Sequence, residues 1–293
     1  MNVYGKPVLW SLGFAFLAAI MFASGGLKAG AEGLILHIPF SEGPGASVFS
    51  DTSGHGHSAR CGTSIPCPEA RMDHGFFRLS DSHWEWLEVA HSEELNPGTE
   101  FTMAVWIRPG NAIWENGQPV RIGGGKIMGK TNALFDGGFV LGTDVKSQEN
   151  LTYQLYPEIW DSRGRNHVFR AGEFRFGEWT HLAVTWKSGG HMIGYVNGKE
   201  VHRIKASALP VGRNTNPFRI GIAPWDTNAL AFGGGIDDIR LYREELSANE
   251  VAALLQLGRN SDAQIEIPPN PEPDSTDLET IESPGPTPEN STP

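Results

Sequence analysis

Cysteine is scarce in this chain, with two residues in 293, and basic charge is thin: 23 Lys and Arg stand against 34 Asp and Glu. Residues 262–293 hold eight acidic side chains and no Lys or Arg, so removing them from the formal net charge of −11 leaves −3 for everything before them. A nearly neutral body without a basic face offers no field to a nucleic-acid backbone. Gly123-Gly124-Gly125-Lys126 lacks the spacing, and the following Ser or Thr, of a phosphate-binding loop. No second Cys or His pair stands at ligand spacing from Cys61 and Cys67, which argues against a structural zinc knuckle. Helical periodicity is missing over most of the length, and only one long apolar run exists, at the amino terminus.

That run, Val8 to Ala23, follows a short start bearing Lys6 and leads to small residues ending in Ala29-Gly30-Ala31. The pattern predicts a signal peptide over 1–31, with an uncleaved membrane anchor as the alternative. Either reading puts residues 32–258 outside the cytoplasm: secreted, periplasmic or on the cell surface. Any membrane contact would come only through that anchor. In an oxidising compartment Cys61 and Cys67 can close a small disulfide loop; two buried thiols are the other reading. Residues 259–293 are rich in Pro, Glu, Ser and Thr, bury too little apolar surface to order themselves, and read as an extended acidic tail.

Between these ends lie 39% apolar residues overall and nine Trp, enough for a substantial core. Leu182, Val184 and Trp186 alternate with His181, Ala183 and Thr185, the period of a strand. A Lys187–Gly190 turn, a strand Met192–Val196, the dipeptide Asn197-Gly198 and a strand Lys199–Ile204 complete an antiparallel meander; Asn-Gly is the pair best able to take positive φ at both centres of a tight hairpin. Further strands are expected at Leu34–Phe40, Phe76–Asp81, Trp84–Val89, Phe101–Ile107, Lys126–Lys130, Gly138–Thr143, Leu151–Tyr156, Ile159–Trp160, Phe174–Phe176, Phe218–Ile222 and Ile236–Tyr242. Asn111–Gly124 reads as a loop. One short helix is expected within Glu244–Leu257, with Ser247 as cap and Glu250 as its capping-box partner. The pattern is all-β, two antiparallel sheets in a jelly roll with one short C-terminal helix.

"GEWTHLAVTW…YVNGKEV" resembles the centre of laminin G-like, concanavalin A-like domains, and three other stretches match that family in order: Pro39–Cys61, "FTMAVWIRP" from Phe101, and Phe218–Leu254 with its "GGGIDDIRLY". The resemblance implies a concanavalin A-like antiparallel β-sandwich. It leaves function open, since such folds host lectins, glycosidases, lyases and adhesion modules. It also implies a structural calcium ion. Asp51 and Asp237 match acidic positions that hold calcium in related domains, with loop carbonyls near His55 completing the shell, although His55 stands where Asn is usual. The alternative is that Asp51 and Asp237 make only turn and backbone hydrogen bonds. His55-Gly56-His57 offers two imidazoles but no third N or S ligand in view, so no transition-metal site is expected there.

Binding is expected at aromatic platforms. Trp114, Trp225 and Trp84 fall in loops or at strand ends beside polar neighbours such as Asp226 and Asn228, where a sugar could stack its C–H face and find hydrogen bonds. Catalysis is not expected. Glycosidases of the resembled fold carry acids two apart on one strand, whereas Glu158 and Asp161, and Glu85 and Glu88, are three apart. A lyase would need His181, Tyr195 and Arg219 to converge. The expected function is a non-catalytic extracytoplasmic module that binds a polysaccharide or a surface protein. A polysaccharide-active glycosidase or lyase and an architectural adhesion module are the alternatives.

Overall fold

The computed structural model describes residues 33–43, 45–62, 77–79, 86–135, 137–227 and 229–257. In chain order its strands are β1 (Leu34–Ile38), β2 (Val48–Phe49), β3 (Ala59–Cys61), β4 (Phe77–Leu79), β5 (Leu87–Val89), β6 (Glu100–Pro109), β7 (Ala112–Glu115), β8 (Gln118–Ile122), β9 (Lys126–Thr131), β10 (Gly138–Ser147), β11 (Thr152–Trp160), β12 (Asn166–Val168), β13 (Ala171–Arg175), β14 (Thr180–Lys187), β15 (His191–Val196), β16 (Lys199–Lys205), β17 (Phe218–Ile220) and β18 (Gly234–Tyr242). Helix α1 (Ala248–Leu257) follows. One antiparallel sheet runs β1-β18-β6-β14-β15-β16, with β4 also on β18. The second runs β12-β11-β10-β9-β17-β5-β3-β2, with β13 also on β11. This is the sandwich the alternation predicts. The segments 1–31 and 259–293 lie outside the described residues.

The meander forms as its residues dictate. Asn197 and Gly198 both take positive φ, 49° and 71°, and join β15 to β16. Leu182, Val184 and Trp186 of β14, with Phe101, Met103 and Val105 of β6, meet Phe139, Leu141, Tyr153 and Leu155 of the opposite sheet in one core. Each such side chain contributes about 1.5–3 kcal/mol by leaving water. The alternate face of the same strands is buried too. Ala104, Ala183, Ile193, Tyr195 and Tyr242 lie under Leu246, Val251 and Leu254. That cover depends on α1, whose start is fixed by a reciprocal cap: Ser247 Oγ accepts from Glu250 N at 3.3 Å while Glu250 Oε2 accepts from Ser247 N at 2.8 Å.

Three expectations change. Asn111–Gly124 is not a loop but the hairpin β7–β8, turned by Asn116 (φ 50°) and Gly117 (φ 74°), the same chemistry as Asn197-Gly198. The strands expected at Leu151–Tyr156 and Ile159–Trp160 are one, β11, which runs through Pro157. That residue falls between the part of β11 paired to β13 and the part paired to β12, where no ladder N–H is needed. Finally, β18 does not alternate strictly. Ile236 and Ile239 both enter the core although they are three apart, and a register shift between Asp237 and Arg240 absorbs the extra residue. Asp237 therefore does not share the apolar phase of Ile239 and Leu241, as strict alternation would have it.

Candidate functional site

The loop after β2 folds back onto β1. Asp51 Oδ1 accepts from the backbone of His37 and of Ser53, each at 2.9 Å; Oδ2 accepts from Ser53 Oγ and His57 N, each at 2.8 Å. Burial alone would raise this carboxyl, but the four donors outweigh it and hold it below the usual carboxylate range. His37 then bridges to the last strand: its Nε2 lies 2.6 Å from Asp238 Oδ1, and Arg240 Nε is 3.0 Å from both Asp238 oxygens.

The expected calcium set does not fit this arrangement. Each Asp51 oxygen already has two donors, whereas calcium takes six to eight oxygens and would have to displace them. Asp237 Oδ1 accepts from Asp238 N at 2.8 Å, and its strand position is opposite Trp106. His37 ties the Asp51 loop to Asp238, not to Asp237. His55 turns its ring onto Glu94, with Nδ1 3.1 Å from Oε2.

The second candidate lies on the outer face of the nine-stranded sheet. Gly142 stands in register between Lys126 on β9 and Tyr156 on β11. A Cβ there would sit 2.9 Å from Lys126 Cδ, so glycine leaves the space across which the lysine reaches. The Lys126 ammonium pairs with the Glu158 carboxylate and lies 4.0 Å from the Tyr156 ring centroid and 5.7 Å from that of Trp225. Arg170, paired with Asp144, also stands 4.0 Å from the Tyr156 centroid. Burial, then the Glu158 charge, push the Tyr156 hydroxyl above its ordinary value, and the Asp144 hydrogen bond raises the Arg170 guanidinium.

Trp225 is half-buried above this face. It meets Phe135 edge-on at 5.0 Å, and Phe135 stacks on Trp160 at 5.4 Å. Its loop is tied down: Arg219 Nη1 donates to Pro224 O at 2.6 Å, Lys126 N to Leu230 O at 2.9 Å and Phe232 N to Gly221 O at 2.8 Å. In the same two loops Leu134 is 79% and Leu230 50% exposed. Phe135 and Leu230 both hold φ of 54°, a left-handed conformation that costs a bulky residue about 1–2 kcal/mol. Strain of that kind persists where surrounding structure over-determines it, and it clusters at binding loops. The face combines flat apolar rings with cations and carboxylates, which is what a polyhydroxylated ligand needs.

Of the residues expected to bind, Trp225 and exposed Asp226 share this loop. Asn228 and Trp84 lie outside the described residues. Trp114 belongs to β7, in a two-stranded sheet of its own. Cys61 ends β3, and Cys67 lies outside the described residues. His181 and Tyr195 are on the seven-stranded sheet and Arg219 on the nine-stranded one, so that trio does not share a sheet. Sequence reasoning missed Lys126, Tyr156, Arg170 and Asp144 as a group. They are scattered over some 45 positions, and only strand register brings them together.

The profile described as the concanavalin A-like lectin/glucanases superfamily, of laminin G type, matches residues 85–252, more than half of the chain. No curated protein matches the sequence. Among solved structures, the binding domain of botulinum neurotoxin serotype G is similar at 18% identity and TM-score 0.57, covering 76% of this chain and 51% of that one. The binding domain of botulinum neurotoxin DC in complex with SialylT is similar at 17% identity and TM-score 0.53, covering 78% and 52%. That of botulinum neurotoxin DC in complex with rat synaptotagmin II gives 15% and 0.52, covering 77% and 51%. The chain thus spans about half the length of these binding domains, and at such identities the likeness is one of fold.

Proposed function

The chain belongs to the concanavalin A-like lectin/glucanases superfamily, and from there we propose that it is a non-catalytic binding module that takes a carbohydrate at the Trp225 face. The observation that carries this reading is the run of rings and charges Trp160–Phe135–Trp225–Lys126–Tyr156–Arg170 on one tied-down face. Half-buried Trp225 is the stacking platform, and the partly exposed Arg170–Asp144 pair and Asp226 form the polar rim. The fold neighbours support a binding role in general terms, since those toxin domains are described with a sialyl sugar or a protein partner. Against catalysis stands the pairing of two of the face's carboxylates with cations, Glu158 with Lys126 and Asp144 with Arg170. The amino-terminal run and the two-cysteine pattern favour an extracytoplasmic location.

The test is a glycan and polysaccharide panel, including sialylated oligosaccharides, probed with the full-length chain and with Trp225→Ala. We expect saturable binding that the variant weakens at least about tenfold, which corresponds to about 1.4 kcal/mol. No new reducing ends or unsaturated products should appear. Product release would replace this reading with the glycosidase or lyase one. Absence of binding to any glycan would move the face to a protein partner.

A further inference from the structure

Away from Trp225, two histidines and one glutamate converge on a single point. The loop that Asp51 organises carries His55 and His57 on either side of Gly56, which holds φ of 77°; Gly54 holds 93°. Asp51 Oδ2 takes the His57 backbone N–H, and Ser53 Oγ takes that of His55 at 3.3 Å. The two imidazoles consequently stack, with centroids 6.0 Å apart and planes 14° apart. From a distant part of the chain, the 3-10 turn Glu93–Leu95 delivers Glu94, fixed by Ser92 Oγ accepting from Glu94 N at 3.2 Å. Glu94 Oε2 lies 3.1 Å from His55 Nδ1 and 3.0 Å from His57 Nε2.

We propose that His55, His57 and Glu94 bind one divalent transition-metal ion of the zinc class. Two imidazole nitrogens and one carboxylate oxygen are a donor set that zinc takes in sites with three protein ligands and an open fourth position. Calcium, a hard ion that prefers six to eight oxygens, is not matched by it. The geometry is close to what the ion needs. All three donor atoms lie within 4.8 Å of one another. A tetrahedral ion with bonds of about 2.0–2.1 Å separates its ligand atoms by about 3.3 Å, so the two short contacts to Glu94 open by only a few tenths of an ångström. The ligands are also prepared. His57 is only 11% exposed at its side chain, and its backbone is pinned.

Glu94 also lines a cleft of about 530 Å³ together with Glu93, Thr99, Glu100, Arg213 and Arg243. A water, or an oxygen of a bound molecule, would complete the shell. The ion would also clamp the loop of residues 51–57 to the turn at 93–95.

The experiment uses metal-free, full-length protein carrying no histidine tag, titrated with Co²⁺ and followed by its visible absorption, then by displacement with Zn²⁺. We expect one ion per chain, displaced by Zn²⁺ and not by millimolar Ca²⁺. Glu94→Gln and His57→Ala should each weaken binding more than about 100-fold, beyond the loss that changes outside the ligand shell produce. His191→Ala, an exposed histidine on β15, should leave it unchanged. If His57→Ala loses its cooperative thermal transition, Glu94→Gln decides, since it keeps the size and hydrogen-bonding reach of the side chain. Absence of saturable binding, or retention of binding in Glu94→Gln, overturns the site. Displacement by Ca²⁺ overturns the transition-metal assignment.

Discussion

Lowering the pH from 7 to 5 should destabilise this protein through one side chain, His181. The residue lies on β14 opposite Trp106, 1% exposed, with the two rings edge-to-face at 5.3 Å and no partner for Nδ1 among the described residues. Desolvation lowers its pKa from 6.5 to about 4; nearby Asp238 opposes that shift and Arg240 adds to it. The folded state thus holds the neutral imidazole while the unfolded state protonates, so stability is present above pH 6.5 and is lost as pH falls towards 4. Linkage with those two values gives a loss of about 1.8 kcal/mol between pH 7 and pH 5, and about 3 kcal/mol in full below the folded pKa. For a domain of this size, 1.8 kcal/mol lowers Tm by about 4–7 °C. The assay is urea unfolding at both pH values for the wild type and His181→Phe, with the imidazole titration followed by NMR. Other histidines contribute equally to both proteins, so the difference isolates His181. An equal pH dependence in the two, or an observed pKa near 6.5, would refute the reasoning.

Asp238→Ala should cost about 3–5 kcal/mol by chemical denaturation, because it leaves the Arg240 charge buried without its partner. The two residues are 6% and 7% exposed. The paired change Asp238→Leu with Arg240→Met should recover most of that loss, and failure to recover it would mean that His37 or packing, rather than the ion pair, carries the cost. Millimolar calcium should leave the thermal midpoint unchanged, since Asp51 spends both oxygens on backbone and Ser53 donors; a rise of several degrees would show that the ion displaces them. Asp51→Ala should lower stability by about 1.5–3 kcal/mol through loss of hydrogen bonds to a charged group, measured by urea unfolding.

Signals confined to a few neighbouring residues were legible. Asn197-Gly198 specified its hairpin, and Ser247 with Glu250 specified where α1 begins. The same dipeptide at Asn116-Gly117 turned β7 into β8, yet without a clear alternation on either side it read as part of a loop. Strict alternation would put Asp237 on the face of Ile239 and Leu241, but one extra residue in β18 reverses every later side chain, and a bulge leaves no local mark. Trp225 was legible as a loop aromatic with polar neighbours. Its companions were not, since nothing about Tyr156 or Lys126 alone places them together.

The sequence by itself determined the all-β sandwich and its capping helix, because alternation, turn dipeptides and caps act over two to five residues and are written in consecutive letters. The tertiary structure alone decided which charges meet which rings. Lys126 reaches Tyr156 and Glu158 across Gly142, His37 joins the Asp51 loop to Asp238, and Glu94 meets His55 and His57. Each of these pairings depends on strand register and on loop closure between distant segments. Register is set by the packing of the whole core, so it cannot be read from either partner separately.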